Sequence, residues 1–142
     1  VAILLAVDGS QPALSAARTL VEWAARLKEP PRIELLTVHL PVPEVGGMSS
    51  VVSPEMLERY YRDESEAVLA GAREILDAAA LAYSVHVFIG RPAHTIAEQA
   101  EHLGCEAIFM GTRGLSTVAS ILIGSCAMKV LHLARVPVVL VH

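Results

Sequence analysis

Five apolar runs alternate with four stretches of helical character, and this alternation limits the fold more than any other feature of the chain. The runs are Ala2–Val7, Ile33–Val38, Val85–Ile89, Ala107–Met110 and Val136–Val141. The first, AILLAV, is continuously apolar. A strand covered on both faces shows such a run, whereas a half-solvated strand alternates polar and apolar residues. Strand–helix–strand repetition predicts one parallel sheet with helices on both faces and right-handed crossovers. The expected fold class is therefore α/β, an open, Rossmann-like, five-stranded parallel sheet.

Local signals punctuate this pattern. Ser10 is placed to cap the first helix, and Pro12 suits its first turn. That helix is expected to reach about Lys28, with Leu14, Ala17, Val21, Ala24 and Ala25 on its buried face. Pro30-Pro31 ends it, because proline lacks the amide donor. Ser53-Pro54-Glu55 opens a long helix to roughly Leu81, whose Glu55, Glu58, Arg59, Arg62, Asp63, Glu64 and Glu66 suit a solvated face. Gly90-Arg91-Pro92 turns the chain into a third helix ending near Leu103-Gly104, and a fourth spans about Gly124 to Leu133. Leu40–Val52 has neither period and holds paired glycines, prolines and serines. A connection that long in a compact domain is expected to be mobile or functional.

A chain of 142 residues suits one domain, taken as 1–142. Hydrophobic residues at 54% and charged residues at 18% exclude a disordered chain. A net charge of −4 argues against a generic nucleic-acid binder. Two cysteines make no disulfide framework, so Cys105 and Cys126 are expected as free thiols in a reducing compartment. The opening run lacks a basic flank and a small-residue cleavage site, and no stretch approaches the ~20 apolar residues of a membrane span. A soluble, cytoplasmic protein with no membrane or nucleic-acid partner is expected.

The charge is unevenly spread. No carboxylate follows Glu106, while Arg113, Lys129 and Arg135 do. Such a segment suits an anion, or is chance clustering in an apolar stretch. Glycines in the same segment bear on the choice. Met110-Gly111-Thr112-Arg113-Gly114 ends the fourth strand, and Gly124-Ser125 stands at a helix start. Glycine lets backbone amides approach a phosphate, and a helix N-terminus offers free N–H groups and a positive dipole end. Ser125 adds a hydroxyl and Arg113 a cation. Taken singly, each glycine is better read as shaping a turn or a cap. Neither GxxxxGK[ST] nor GxGxxG after the first strand is present.

The spacing Gly111-x2-Gly114-x9-Gly124-Ser125 resembles the nucleotide-binding signature of the universal stress protein family. Ala6–Ser10 (AVDGS), Ile89–Ala93 followed by Ile96 and Ala100, Met110–Ser116, Gly124–Leu131 and Val136–Val141 are similar to further family segments, so the resemblance covers essentially the whole chain. It implies strand order 3-2-1-4-5 and membership of the ATP-binding branch. It also implies that Ala6, Val7, Asp8 and Val38 lie along adenine and ribose. Met110, Gly111, Gly114, Gly124, Ser125 and Cys126 would lie along ribose and phosphates. Cys126 departs from the family, where Val is common, but a backbone contact survives that change. The phosphate role of Arg113 is inferred from its charge alone. Asp8 would face the sugar or base, or meet the phosphates through Mg²⁺.

The implied function is an adenine-nucleotide-binding regulatory protein of the stress response, taking ATP, ADP or AMP with or without Mg²⁺. Slow ATP hydrolysis or adenylyl transfer is the enzymatic alternative, for which no general base is evident beyond Asp8. A nucleotide-independent dimeric interaction module is the third. The apolar strand Val136–Val141 at a sheet edge invites pairing, and the family forms homodimers through it, so a homodimer is expected. His94 and Glu98, four apart, lack a third metal ligand, and no metal site is expected. His39 is placed either to line the ligand crevice or at a solvated strand end, and Trp23 is expected to pack.

Overall fold

The computed structural model describes residues 1–41, 53–114 and 123–142. The strands are β1 (Ala2–Ala6), β2 (Arg32–His39), β3 (Tyr83–Ile89), β4 (Ala107–Gly111) and β5 (Val138–Val141). The helices are α1 (Gln11–Ala24), α2 (Pro54–Ala78), α3 (Pro92–His102) and α4 (Ser125–Leu133). All pairings are parallel, in the order β3-β2-β1-β4-β5. This is the expected sheet and order.

The central strand shows why the apolar runs are continuous. Ile3, Leu5 and Val7 enter one core beneath α1 and α2. Ala2, Leu4 and Ala6 enter the other, with residues of α3 and α4. Each residue of β1 is thus covered whichever way it points.

Ser10 Oγ accepts from Ala13 N–H at 3.3 Å, the expected cap, and Ser53 Oγ accepts from Met56 N–H at 3.1 Å to cap α2 as well. The buried stripe of α1 is Ala13, Ala16, Ala17, Leu20 and Ala24, rotated from the expected face. Alanines meet the sheet, where a small side chain allows close approach. Leu14 instead meets α2 at Gly71, where an added Cβ would lie 2.7 Å from its Cδ2. The helix stops at Ala24, short of Lys28, because 25–29 are all exposed and another turn has nothing to bury. At the other end of the chain, β5 begins at Val138 and not Val136. Pro137 accepts from Ile108 N–H at 2.9 Å but has no N–H to return. Trp23 is 47% exposed and meets Phe109 edge-on, with ring centroids 5.2 Å apart. The acidic and basic residues proposed for the solvated face of α2 are exposed. Of the irregular stretch Leu40–Val52, residues 42–52 lie outside the described residues, as do 115–122 after Gly114.

Candidate functional site

Strand order reverses between β1 and β4, and a cleft of about 270 Å³ opens beyond their carboxyl ends. Open α/β sheets take ligands at such a switch point. Ala6 lines it from β1, Val7 and Asp8 from the segment just after it, Val38 from β2, Met110 and Gly111 from β4, and Arg113 and Gly114 from the turn after β4. Gly124, Ser125 and Cys126 complete it from the start of α4. The structure thus brings together all the residues expected along the nucleotide, Arg113 included.

One wall is apolar. Leu36 and Val38 stand two apart on β2, and Ile96 and Met110 join them. The N-terminus of α4 also lines the cleft. Its N-cap is Gly124, and no side chain among the described residues bonds there, whereas Ser10 and Ser53 cap α1 and α2. The first bond of this helix runs from Met128 N–H to Gly124 O at 3.0 Å. The amides of Ser125, Cys126 and Ala127 precede that bond, and all three residues line the cleft. Unsatisfied amides and the positive end of the helix dipole favour an anion here.

Asp8 is the sole carboxylate and Arg113 the sole cation among the described residues lining the cleft. Asp8 Oδ1 accepts from Ser10 N–H at 2.9 Å. The other cations of the acid-free segment point elsewhere: Arg135 meets Glu101 of α3 at 3.5 Å, and Lys129 is exposed one turn into α4. Burial, then the charge of Asp8, raises the Cys126 thiol above its ordinary value, with Lys129 opposing. The cleft therefore presents a neutral thiol there.

The glycines differ in purpose. An added Cβ at Gly111 would lie 2.7 Å from Pro12 Cβ and 2.9 Å from Ala13 N. Its missing side chain makes room for α1. At Gly114 an added Cβ would lie 2.7 Å from Asp8 Oδ2, so this glycine leaves the carboxylate its place. At Gly124 it would lie 3.4 Å from Thr112 O, 3.5 Å from Arg113 Cα and 3.8 Å from Gly114 N.

His39 does not line the cleft. Its Nε2 lies 2.7 Å from Ser65 Oγ of α2. His94 and Glu98 remain a pair, and the described residues hold no group of three His, Cys, Asp or Glu side chains able to hold a metal. Cys105 is buried and Cys126 half-buried, both as free thiols. No helix among the described residues is long and apolar enough to cross a membrane. Sequence reasoning missed Ala13, Leu36, Pro92, Ile96, Thr112 and Ala127 as lining residues. The period of two along β2 implies Leu36 once Val38 is chosen. Ala13 had no signal, because only the docking of α1 on Gly111 brings it there.

The family model described as the Universal stress protein family matches residues 2–142. A universal stress protein of Thermus aquaticus, from the QAH/OAS sulfhydrylase 3′ region, is 35% identical over 142 residues, covering 99% of this chain and 97% of that one. Among solved structures, universal stress protein UspA from Lactobacillus plantarum superposes with a TM-score of 0.80 at 22% identity, covering 100% and 97% of the two chains. The universal stress protein from Archaeoglobus fulgidus in complex with dAMP gives a TM-score of 0.66 at 23% identity, covering 100% and 98%.

Proposed function

The chain belongs to the universal stress protein family, and from that premise we propose that it is an adenine-nucleotide-binding regulatory protein of the stress response. The observation that carries this reading is the N-terminus of α4, uncapped by any side chain among the described residues, whose first three residues line a cleft together with the apolar Leu36, Val38, Ile96 and Met110. A nucleotide has the same two halves, a flat base and an anionic tail. The dAMP held by the Archaeoglobus relative adds support for the adenine class.

Ala6, Val7 and Val38 take the base, and Asp8 the sugar. The phosphates lie toward Met110, Gly111, Gly114, Gly124 and Cys126, with Ser125 donating a hydroxyl and Arg113 a charge. Asp8 would repel a bare phosphate, so it accepts from ribose hydroxyls or shares a Mg²⁺ with the phosphates. The chain has no metal cage of its own among the described residues, and Mg²⁺ is usually held by one or two carboxylates plus phosphate oxygens. ATP is the ligand proposed first, with ADP and AMP fitting the same groups.

Binding without turnover is the reading favoured, because among the described residues the cleft has one carboxylate, Asp8, whose Oδ1 already accepts from Ser10 N–H. Residues 1–142 act as one cytoplasmic domain that pairs with a second copy through β5. Equilibrium dialysis against labelled ATP, ADP and AMP, with and without Mg²⁺, tests the ligand class. Retention of at least one is expected, with ATP intact after hours. Retention of none rejects the reading, and steady release of ADP or AMP moves it to the enzymatic alternative.

A further inference from the structure

Thr112 stands between Gly111 and Arg113 of the cleft and is only 4% exposed. A buried threonine must place a backbone donor, a backbone acceptor and a hydroxyl. Each is bonded here, and the bonds reach two different elements. The Thr112 N–H donates to Val141 O at 2.8 Å. Its carbonyl accepts from Gly124 N–H at 2.6 Å. Its Oγ1 lies 3.1 Å from His142 Nδ1.

Two of these bonds tie Thr112 to the end of β5, and the third ties the N-cap of α4 to Thr112. The β4–β5 ladder ends at Gly111 and Val141. The side-chain bond to His142 therefore carries the attachment one residue past the ladder, into the turn that borders the cleft. A hydroxyl both donates and accepts, so the bond persists whether Nδ1 is bare or protonated.

We infer that Thr112, held by His142, is a positioning residue that sets where the open amides of α4 stand relative to Gly111 and Arg113. The consequence for affinity rests on the nucleotide reading above, whereas the positioning itself does not. Losing the side-chain bond leaves Gly124 less firmly held, and its amide opens more often. An amide-opening increase of several-fold, and a nucleotide affinity roughly three- to tenfold lower, match the loss of one ordinary hydrogen bond.

The test uses Thr112→Val and His142→Leu, with Thr112→Ser and His142→Asn as variants that keep a polar partner. Hydrogen exchange at the Gly124 amide is followed by NMR in the ligand-free protein, and ADP affinity is measured by dialysis. Faster Gly124 exchange in Thr112→Val and His142→Leu, restored in the two conservative variants, is expected together with the matching loss of affinity. Should Thr112→Val fail to fold, His142→Leu at an exposed position still decides the matter. Unchanged Gly124 exchange overturns the positioning role whatever the affinities do. Faster exchange with unchanged ADP affinity overturns its consequence for binding. A wild type that retains no ADP while exchange responds as expected rejects the nucleotide reading and upholds the positioning.

Discussion

Gly111 and Gly114 look alike in the motif but are opposed in what they protect. A Cβ at Gly111 would strike the backbone of Pro12 and Ala13, which cannot step aside without moving α1. Gly111→Ala is therefore expected to cost about 1–3 kcal/mol of stability, as overpacking does, and to lower the melting temperature. A Cβ at Gly114 would meet the tip of the Asp8 side chain, which can rotate away. Gly114→Ala is expected to melt near wild type but to bind adenine nucleotide more weakly, since Asp8 is displaced. Thermal melting and dialysis on both variants check the contrast; equal melting of the two would contradict it. The motif announced both glycines. Only the packing of α1 against β4 separates them, and no spacing rule encodes that contact.

At the scale of elements, β2 carries a buried carboxylate that joins three parts of the fold. Glu34 is 5% exposed and bonds Arg32 Nε at 2.9 Å and His86 Nε2 of β3 at 2.7 Å. Arg32 also donates to Leu103 O, at the end of α3, at 3.2 Å. Cys105 lies buried beside this group, and its thiol is pushed up to about 11 by burial first and the charge of Glu34 second, against the opposing Arg32. The folded thiol holds its proton where the unfolded chain releases it. The resulting stability is complete below the ordinary thiol value of 9.0 and is lost as pH rises toward about 11. Urea denaturation across that window should show wild type losing more stability than Cys105→Ala, and parallel losses would contradict the assignment. All nine elements were legible in the alternation of runs, yet their ends were not. Lys28 looked helical because Pro30-Pro31 offered an obvious stop, while the actual stop is the loss of anything to bury beyond Ala24. Val136 looked like strand because it is apolar, while Pro137 delays the ladder. Glu34 sat unnoticed in an apolar run because its partners come from β3 and from its own strand.

For the whole molecule, the pattern alone predicted a parallel sheet, but the order 3-2-1-4-5 came from the family resemblance. That order decides the site, because it places Asp8 and Gly111 on either side of the reversal. It also leaves β5 at an edge, with Val138–Val141 only half-covered. An exposed apolar edge pairs readily, so light scattering at micromolar concentration is expected to give the mass of two chains. A monomer would contradict the pairing. The acid-free segment acquires a narrower meaning: its carboxylates are missing where α4 opens, but only Arg113 of its cations reaches the cleft. The central claim is that adenine-nucleotide phosphates bind at that opening. Calorimetric titration of ATP with Mg²⁺ into wild type and Ser125→Glu tests it most directly. A fixed negative charge at the first residue of α4 repels the phosphates by several-fold to a few hundredfold at a partly solvated site. The account predicts saturable binding to wild type and binding at least several-fold weaker to Ser125→Glu; no binding to wild type, or equal affinity for both proteins, would contradict it.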